Sequence, residues 1–222
     1  MKQGADEQDK GVEPYFHDGV AEPESPNEFL LKLLRETKDD PYASYPDIPS
    51  GETLESLRAK VPDRRGKIKS VFERISQITN HMAESYKSIC NENQLDPGTI
   101  SIYVVGGRVR RKPLLHSSDV DIVITVENES GGLQPNYSLK NGDSQELIQK
   151  KTTARRQFVA ALEKGFENLD LLEKDEKGEF TGWILEPKGY GFADTATRQE
   201  WAEGVRAEGA DTQQVAVLVY RG

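Results

Sequence analysis

Apolar residues recur every three or four positions over residues 63–93, and this spacing predicts one long helix with a single apolar face. That face consists of Ile68, Val71, Phe72, Ile75, Ile78, Met82, Tyr86, Ile89 and Cys90. The same spacing predicts a short helix over residues 27–35, capped by Asn27, and another over residues 143–166 that begins with a capping-box-like Asp-Ser-Gln-Glu. Residues 51–61 are predicted to form a further short helix.

Two β-branched runs with two-residue alternation predict strands over residues 100–105 and 119–126. An Asp-Glu-Lys-Gly turn predicts a hairpin between strands at residues 169–174 and 179–186. A final strand is predicted over residues 215–220, at the edge of the sheet. With the helices, these strands predict an α+β fold with a small mixed β-sheet and helices packed on one face.

Residues 107–113 are predicted to form a short helical turn between the first two strands. One later segment fits more than one description: residues 169–172 fit a strand, but they also continue the helical period of Phe166. This ambiguity matters because Asp170 lies within the segment.

Composition divides the chain at about residue 50. Residues 1–50 are acidic and rich in proline, which predicts a largely disordered arm carrying the first short helix. Residues 51–222 are predicted to form one domain with its core at about residues 98–186. The net charge of −9 argues against a general nucleic-acid coat protein, because neutralising phosphates requires clustered lysine and arginine.

The single cysteine, Cys90, excludes an internal disulfide and fits a reducing compartment. No apolar run approaches the roughly 18 residues of a membrane span, and no signal-peptide pattern follows Met1. We therefore expect a soluble, cytoplasmic protein with no membrane partner. His81 and Cys90 lie nine positions apart, which matches no metal-ligand spacing, so both are predicted to be packing residues.

Residues 100–126 carry the most specific chemistry in the chain. Asp119 and Asp121 are separated by one residue on a predicted strand, so their side chains leave the same face about 6–7 Å apart. Carboxylates so placed can hold one hard cation, and Mg²⁺ is commonly held by one or two carboxylates together with substrate phosphates. The pair therefore predicts a magnesium site.

The residues upstream of this pair suit an anion. Gly106 and Gly107 leave backbone N–H groups open to close approach, and Arg108 begins a basic segment beside them. Ser117 and Ser118 offer hydroxyl and amide donors to phosphate oxygens. Donors and carboxylates together predict a site for a magnesium–nucleoside-triphosphate complex.

The order of these residues resembles the signature of the DNA polymerase β-type nucleotidyltransferase superfamily, and especially of its minimal nucleotidyltransferase members. Val105-Gly-Gly-Arg-Val-Arg and Ser-Ser-Asp-Val-Asp-Ile-Val follow its pattern of strand, glycine pair, short helix and Ser-Asp-x-Asp on a second strand. The motif covers residues 100–126, and the order of elements extends the resemblance to residue 186. Arg111 departs from it, because small members often carry glycine there.

The resemblance implies a role for each matching position in the glycine and serine segments. Gly106 and Gly107 would form the loop over the triphosphate, with the charge of Arg108 beside it. Ser118, together with Ser117, would bind the β- or γ-phosphate.

The resemblance also implies three catalytic carboxylates that bind metal. Asp119 and Asp121 would be two of the ligands, and a third carboxylate on a later strand would help to activate the attacking hydroxyl. Asp170 is the first candidate for this third ligand, Glu186 the second and Asp194 the third.

The expected function is that of a Mg²⁺-dependent nucleotidyltransferase, with Mn²⁺ as an alternative cofactor. It would transfer a nucleoside monophosphate from a nucleoside triphosphate such as ATP to a hydroxyl, with release of pyrophosphate. The acceptor would be an RNA end, a protein side chain or a small molecule. The alternative is a catalytically inactive module of the same fold that binds nucleotide or a protein partner for regulation.

Overall fold

The computed structural model describes residues 25–38, 48, 51–127, 144–187 and 216–222. Within these residues the chain forms three helices and six strands, in the order α1 Pro26–Glu36, α2 Leu54–Glu92, β1 Thr99–Val105, β2 Val120–Glu127, α3 Gln145–Asn168, β3 Leu172–Lys174, β4 Phe180–Trp183, β5 Leu185–Pro187 and β6 Ala216–Arg221. The predicted α+β class is therefore confirmed. No helix among the described residues combines the length and apolar character needed to cross a bilayer.

The N-cap of helix α1 lies two residues earlier than the sequence pattern predicts. Ser25, rather than Asn27, is the N-cap, and its side chain accepts a hydrogen bond from the amide of Glu28. Pro26 follows at the first helical position, where its missing N–H costs nothing. Asn27 instead docks α1 on α2, because its side-chain amide donates to the carbonyl of Glu73 at 2.9 Å.

Helix α2 joins two predicted helices into one. It starts at a capping box in which Thr53 and Ser56 each accept from the other's backbone amide. Pro62 lies inside it, on the exposed side, and the helix runs on without interruption. A proline in a helix interior costs about 3 kcal/mol, and burial of Leu57 and Val61 before it helps to offset that cost.

The main sheet has four strands in the order β5-β2-β1-β6. β1 pairs antiparallel with both β2 and β6, whereas β2 pairs parallel with β5. The sheet is therefore mixed, as predicted. The predicted strand over residues 179–186 is divided at Ile184, because the amides of Ile184 and Leu185 both donate to the carbonyl of Leu171. This division carries the chain from the β3–β4 hairpin into the main sheet.

The β3–β4 hairpin forms around the predicted turn. The Asp175 side chain accepts from the amides of Lys177 and Glu179, and Gly178 takes a positive φ of 81°. The strand before it is shorter than predicted, because α3 ends only at Asn168 and Asp170 has a left-handed φ of 57°. A turn therefore occupies the ambiguous segment before β3.

One hydrophobic core joins the three helices and the main sheet. Its fully buried members include Leu30 of α1, Phe72 and Tyr86 of α2, Ile102 of β1 and Phe158 of α3. Helix α1 thus packs in the same core as the sheet. The core residues of β2, Val120 and Ile122, alternate with Asp121, so burying this strand turns its carboxylate to the opposite face.

Candidate metal centre

Three carboxylates meet at the start of β2. Asp119 precedes this strand, Asp121 lies in it, and Glu186 lies in the neighbouring strand β5. One carboxylate oxygen from each lies within 4.8 Å of the other two, and all three side chains are partly exposed. This arrangement could hold a divalent metal ion.

Strand pairing explains why Glu186 joins the two aspartates. Asp121 and Glu186 are direct partners in the parallel register of β2 and β5. Partners in neighbouring strands project from the same face of the sheet, about 4.8 Å apart. Asp119 is two positions from Asp121, so its side chain leaves the same face. The convergence follows from backbone geometry.

The carboxylate that the structure brings to the two aspartates is therefore that of Glu186, the second candidate, and not that of Asp170, the first candidate. Asp170 is exposed in the turn that ends α3, where its backbone amide donates to the carbonyl of Glu167. It belongs to no group of acidic side chains close enough to share an ion among the described residues. Asp194, the third candidate, lies outside the described residues.

Gly106 lies against the carboxylate of Asp121. It follows β1 and takes a positive φ of 77°. A Cβ atom added there would lie 1.9 Å from Oδ2 of Asp121, far inside van der Waals contact. Position 106 requires both a left-handed backbone conformation and close approach to the Asp121 carboxylate, and only glycine meets both requirements without strain. Gly107 has more room, because the nearest atoms to an added Cβ belong to Lys112 at 3.7 Å.

The segment after the glycine pair is a series of hydrogen-bonded turns, where the sequence predicts a short helical turn. The amide of Arg110 donates to the carbonyl of Gly106 at 3.2 Å, and the amide of Lys112 donates to that of Gly107 at 2.9 Å. Arg111 then takes a left-handed φ of 54°, which ends this pattern. Residues 106–112, here named the basic turn, thus begin at the glycine that lies against Asp121.

Arg108 is the most buried cation of the basic turn, with 6% of its side chain exposed. Its Nη2 donates to the carbonyl of Pro113 at 3.2 Å, whereas its Nη1 is buried without a hydrogen-bond acceptor among the described residues. Burial lowers the pKa of Arg108 below its ordinary value, and the charges of Asp119 and Asp121 oppose that shift. The guanidinium thus combines a spare donor with proximity to the carboxylates.

The two predicted serines differ in their surroundings. The hydroxyl of Ser118 accepts from the amide of Leu115 at 2.9 Å, and the amide of Ser118 donates back to the carbonyl of Leu115. This pair of bonds fixes the turn that leads into Asp119. Ser117 is exposed beside it. Ser118 therefore has a structural role whether or not a ligand is bound.

The donor set fits a hard divalent cation. It consists of carboxylate oxygens alone, with no sulfur or imidazole, and Mg²⁺ and Mn²⁺ favour such oxygen ligands. Two oxygens bound to one ion at about 2.1 Å lie at most about 4.2 Å apart. The three oxygens lie within 4.8 Å of one another, a bound close to this limit, so the group is compact enough for a shared ion.

Sequence reasoning ranked Glu186 second because a lone glutamate at a strand end carries no distinctive motif. Gly106, by contrast, is near Asp121 along the chain, and the structure places it against the Asp121 carboxylate.

No family model, curated protein or solved structure matches this chain with significance.

Proposed function

We propose that this protein is a divalent-metal-dependent nucleotidyltransferase. The observation that carries the proposal is the convergence of Asp119, Asp121 and Glu186 beside Gly106 and the buried Arg108. A carboxylate group of this kind next to spare cationic donors suits a substrate that brings both phosphates and a metal ion.

We assign the metal ion and the triphosphate to different residues of the site. Asp119, Asp121 and Glu186 would hold Mg²⁺, or Mn²⁺, and the backbone of Gly106 and Gly107 would face the triphosphate. When bound, the metal neutralises charge that develops on the phosphate oxygens during in-line displacement.

Arg108 supports this assignment because its Nη1 is buried without an acceptor among the described residues. A buried donor left unsatisfied costs about 1–3 kcal/mol, and a phosphate oxygen would remove that cost. We assign Arg108 to the triphosphate. Ser117 is exposed and its hydroxyl can turn toward the triphosphate. Ser118 would instead hold the turn that positions Asp119.

The proposed reaction joins an acceptor hydroxyl to the α-phosphorus of a nucleoside triphosphate. The hydroxyl oxygen forms a bond to that phosphorus, its proton passes to the Glu186 carboxylate, and the bond to the β-phosphate oxygen breaks. Pyrophosphate leaves with the bonding electrons. The presence of a third carboxylate beside the pair favours this catalytic reading over an inactive nucleotide-binding module, which would dispense with it.

The test is incubation of the full chain with each α-labelled nucleoside triphosphate, Mg²⁺ and cell extract. Label should pass to an acceptor with the wild-type protein and be lost with Asp121→Asn or Glu186→Gln. Asp170→Asn is the matched control, because it removes a carboxylate outside the metal centre, and it should label normally. Equal labelling by wild type and Asp121→Asn would refute the proposal, and binding of triphosphate without any labelling would favour the inactive module.

A further inference from the structure

The segment that leaves α1 is hydrogen-bonded to the residues that directly follow the basic turn. The amide of Leu114 donates to the carbonyl of Lys38 at 2.9 Å, and Leu114 is fully buried. The preceding residue, Pro113, offers the carbonyl that accepts from Nη2 of Arg108. Two adjacent residues thus connect the end of α1 to the guanidinium beside the metal centre.

Arg65 of α2 holds the end of α1 in place. Its Nη1 donates to the carbonyl of Leu34 at 2.7 Å and its Nη2 to that of Thr37 at 2.8 Å. Both carbonyls lie at the C-terminal end of α1, where a cation is favourable, and the Leu34 carbonyl also accepts from the amide of Thr37 at 3.2 Å. Lys38 follows directly, so Arg65 fixes the residue whose carbonyl receives Leu114.

A surface ion pair reinforces the same connection. Nη2 of Arg111 lies 3.0 Å from Oε2 of Glu36, with both side chains about half exposed. Such an exposed pair is worth at most about 1 kcal/mol. The buried route through Leu114 therefore dominates the coupling between α1 and the basic turn.

We propose that Arg65 is a positioning residue for triphosphate binding: it holds the end of α1, which through Lys38, Leu114 and Pro113 sets the guanidinium of Arg108. This inference rests on the proposed function for its ligand. It also makes the segment 26–38 part of the site, although the resemblance to the nucleotidyltransferase signature begins only at residue 100.

The chain supplies a matched control at the other end of α1. Asn27 also docks α1 on α2, donating to the Glu73 carbonyl and accepting from the hydroxyl of Ser76. Asn27→Ala and Arg65→Met thus each remove two hydrogen bonds between the same two helices. Only Arg65→Met removes them next to the basic turn, so a difference between the variants in the ligand-free exchange of the Leu114 amide reports positioning rather than general loss of packing. A difference in anion affinity also includes the loss of the Arg65 charge, which acts on Arg108.

The first measurement is amide hydrogen exchange of Leu114 and Lys112 in the folded full chain. Exchange in Arg65→Met should accelerate at least roughly tenfold over wild type, because the Lys38 acceptor is no longer fixed. Asn27→Ala should leave both amides close to wild type. Equal protection of the Leu114 amide in Arg65→Met and Asn27→Ala would overturn the inference, and this comparison requires no ligand.

The second measurement is calorimetric binding of inorganic tripolyphosphate in the presence of Mg²⁺. Affinity should fall at least about tenfold in Arg65→Met and in Arg108→Met but stay within about twofold in Asn27→Ala, where tenfold corresponds to about 1.4 kcal/mol. Arg65→Lys keeps the charge and one of the two donor groups, so it should recover part of the affinity. If Arg65→Met does not fold, Arg65→Lys replaces it in the comparison with Asn27→Ala. If Arg65→Met and Arg65→Lys bind tripolyphosphate as tightly as wild type while Arg108→Met does not, the positioning role is refuted. If the wild type itself does not bind, the proposed function is refuted instead.

Discussion

Gly106 and Asp121 are in such close contact that the glycine constrains one carboxylate of the candidate metal centre. An added Cβ at position 106 would lie 1.9 Å from Oδ2 and 2.9 Å from Cγ of Asp121. Val105, the residue before the glycine, is the antiparallel partner of Asp121 in the sheet. The carboxylate is therefore bordered by the basic turn on one side and by Glu186 on the other.

Gly106→Ala should both destabilise the protein and displace the Asp121 carboxylate. The left-handed φ alone costs an alanine about 1–2 kcal/mol, and the clash with Asp121 adds to it. We expect the free energy of unfolding in urea to fall by about 2 kcal/mol or more and the affinity for Mn²⁺ to fall with it. Gly107→Ala is the control, since the nearest atom to its Cβ would be 3.7 Å away, and it should retain metal affinity. Equal behaviour of the two variants would contradict this account.

Metal binding should raise stability through the three clustered carboxylates. A ligand at 100 times its dissociation constant adds about 2.7 kcal/mol to the free energy of unfolding. We expect Mg²⁺ or Mn²⁺ to raise the melting temperature of the wild type and EDTA to reverse the increase. Glu186→Gln should abolish most of the increase, and Asp170→Asn should preserve it. An increase that persists in Glu186→Gln would place the metal elsewhere.

Local order in the sequence was enough to place half of this site. The two-residue spacing of Asp119 and Asp121 needs only the geometry of one strand, and the glycine pair is adjacent to it along the chain. Glu186 depends instead on the parallel pairing of β5 with β2, which brings together residues 65 positions apart in sequence. No periodicity encodes such a pairing, so a turn residue with leucine neighbours, Asp170, was ranked above it.

The helices show the same limit at their boundaries. Apolar spacing located all three, but it predicts two helices over residues 51–61 and 63–93 where the structure has the single helix α2, with Pro62 inside it. The contact between Lys38 and Leu114 has no sequence signature at all, because one partner follows a helix and the other follows a turn. The fold class was therefore predictable, whereas the connection between α1 and the site required coordinates.

The Cys90 thiol should make stability depend on alkaline pH. Burial raises the pKa of Cys90 from its ordinary value of 9.0 to about 11, and the charge of Asp96 adds to the rise. The folded state thus retains a proton that the unfolded chain releases above about pH 9. The contribution of the protonated thiol to the free energy of unfolding is complete below about pH 9. It is lost as the pH rises toward 11, at up to about 1.4 kcal/mol per pH unit.

Urea unfolding of wild type and Cys90→Ala across pH 8–11 measures this effect. The difference in free energy of unfolding between the two proteins should shrink as pH rises through the window from 9 to 11. A thiol reagent at pH 8 should also label the folded protein far more slowly than the unfolded one, because Cys90 is fully buried. Parallel pH profiles for both proteins would exclude the assigned pKa.

The buried Arg64 makes Glu173 a strong determinant of stability. Arg64 is 4% exposed, and its Nη1 lies 2.9 Å from Oε1 of Glu173. Its Nη2 donates to the carbonyl of Trp183, so the pair joins α2 to both strands of the β3–β4 hairpin. Glu173→Gln keeps the shape of the side chain but removes the charge that compensates a desolvated guanidinium. Breaking a fully buried pair costs about 3–5 kcal/mol, and the 29% exposure of Glu173 reduces the expected loss to about 1–3 kcal/mol.

Glu73→Gln is the matched control, because Glu73 pairs with Lys69 on the surface of the same helix at 3.4 Å, with both side chains about half exposed. An exposed helical pair of this spacing contributes only about 0.3–0.5 kcal/mol. Urea unfolding should therefore show a loss several times larger for Glu173→Gln than for Glu73→Gln, and added salt should erase the smaller loss but not the larger one. Similar losses in the two variants would mean that solvent or a rearranged hairpin compensates the buried charge of Arg64.

Because β4 leads directly into the strand that carries Glu186, Glu173→Gln should also weaken Mn²⁺ binding, whereas Glu73→Gln should not.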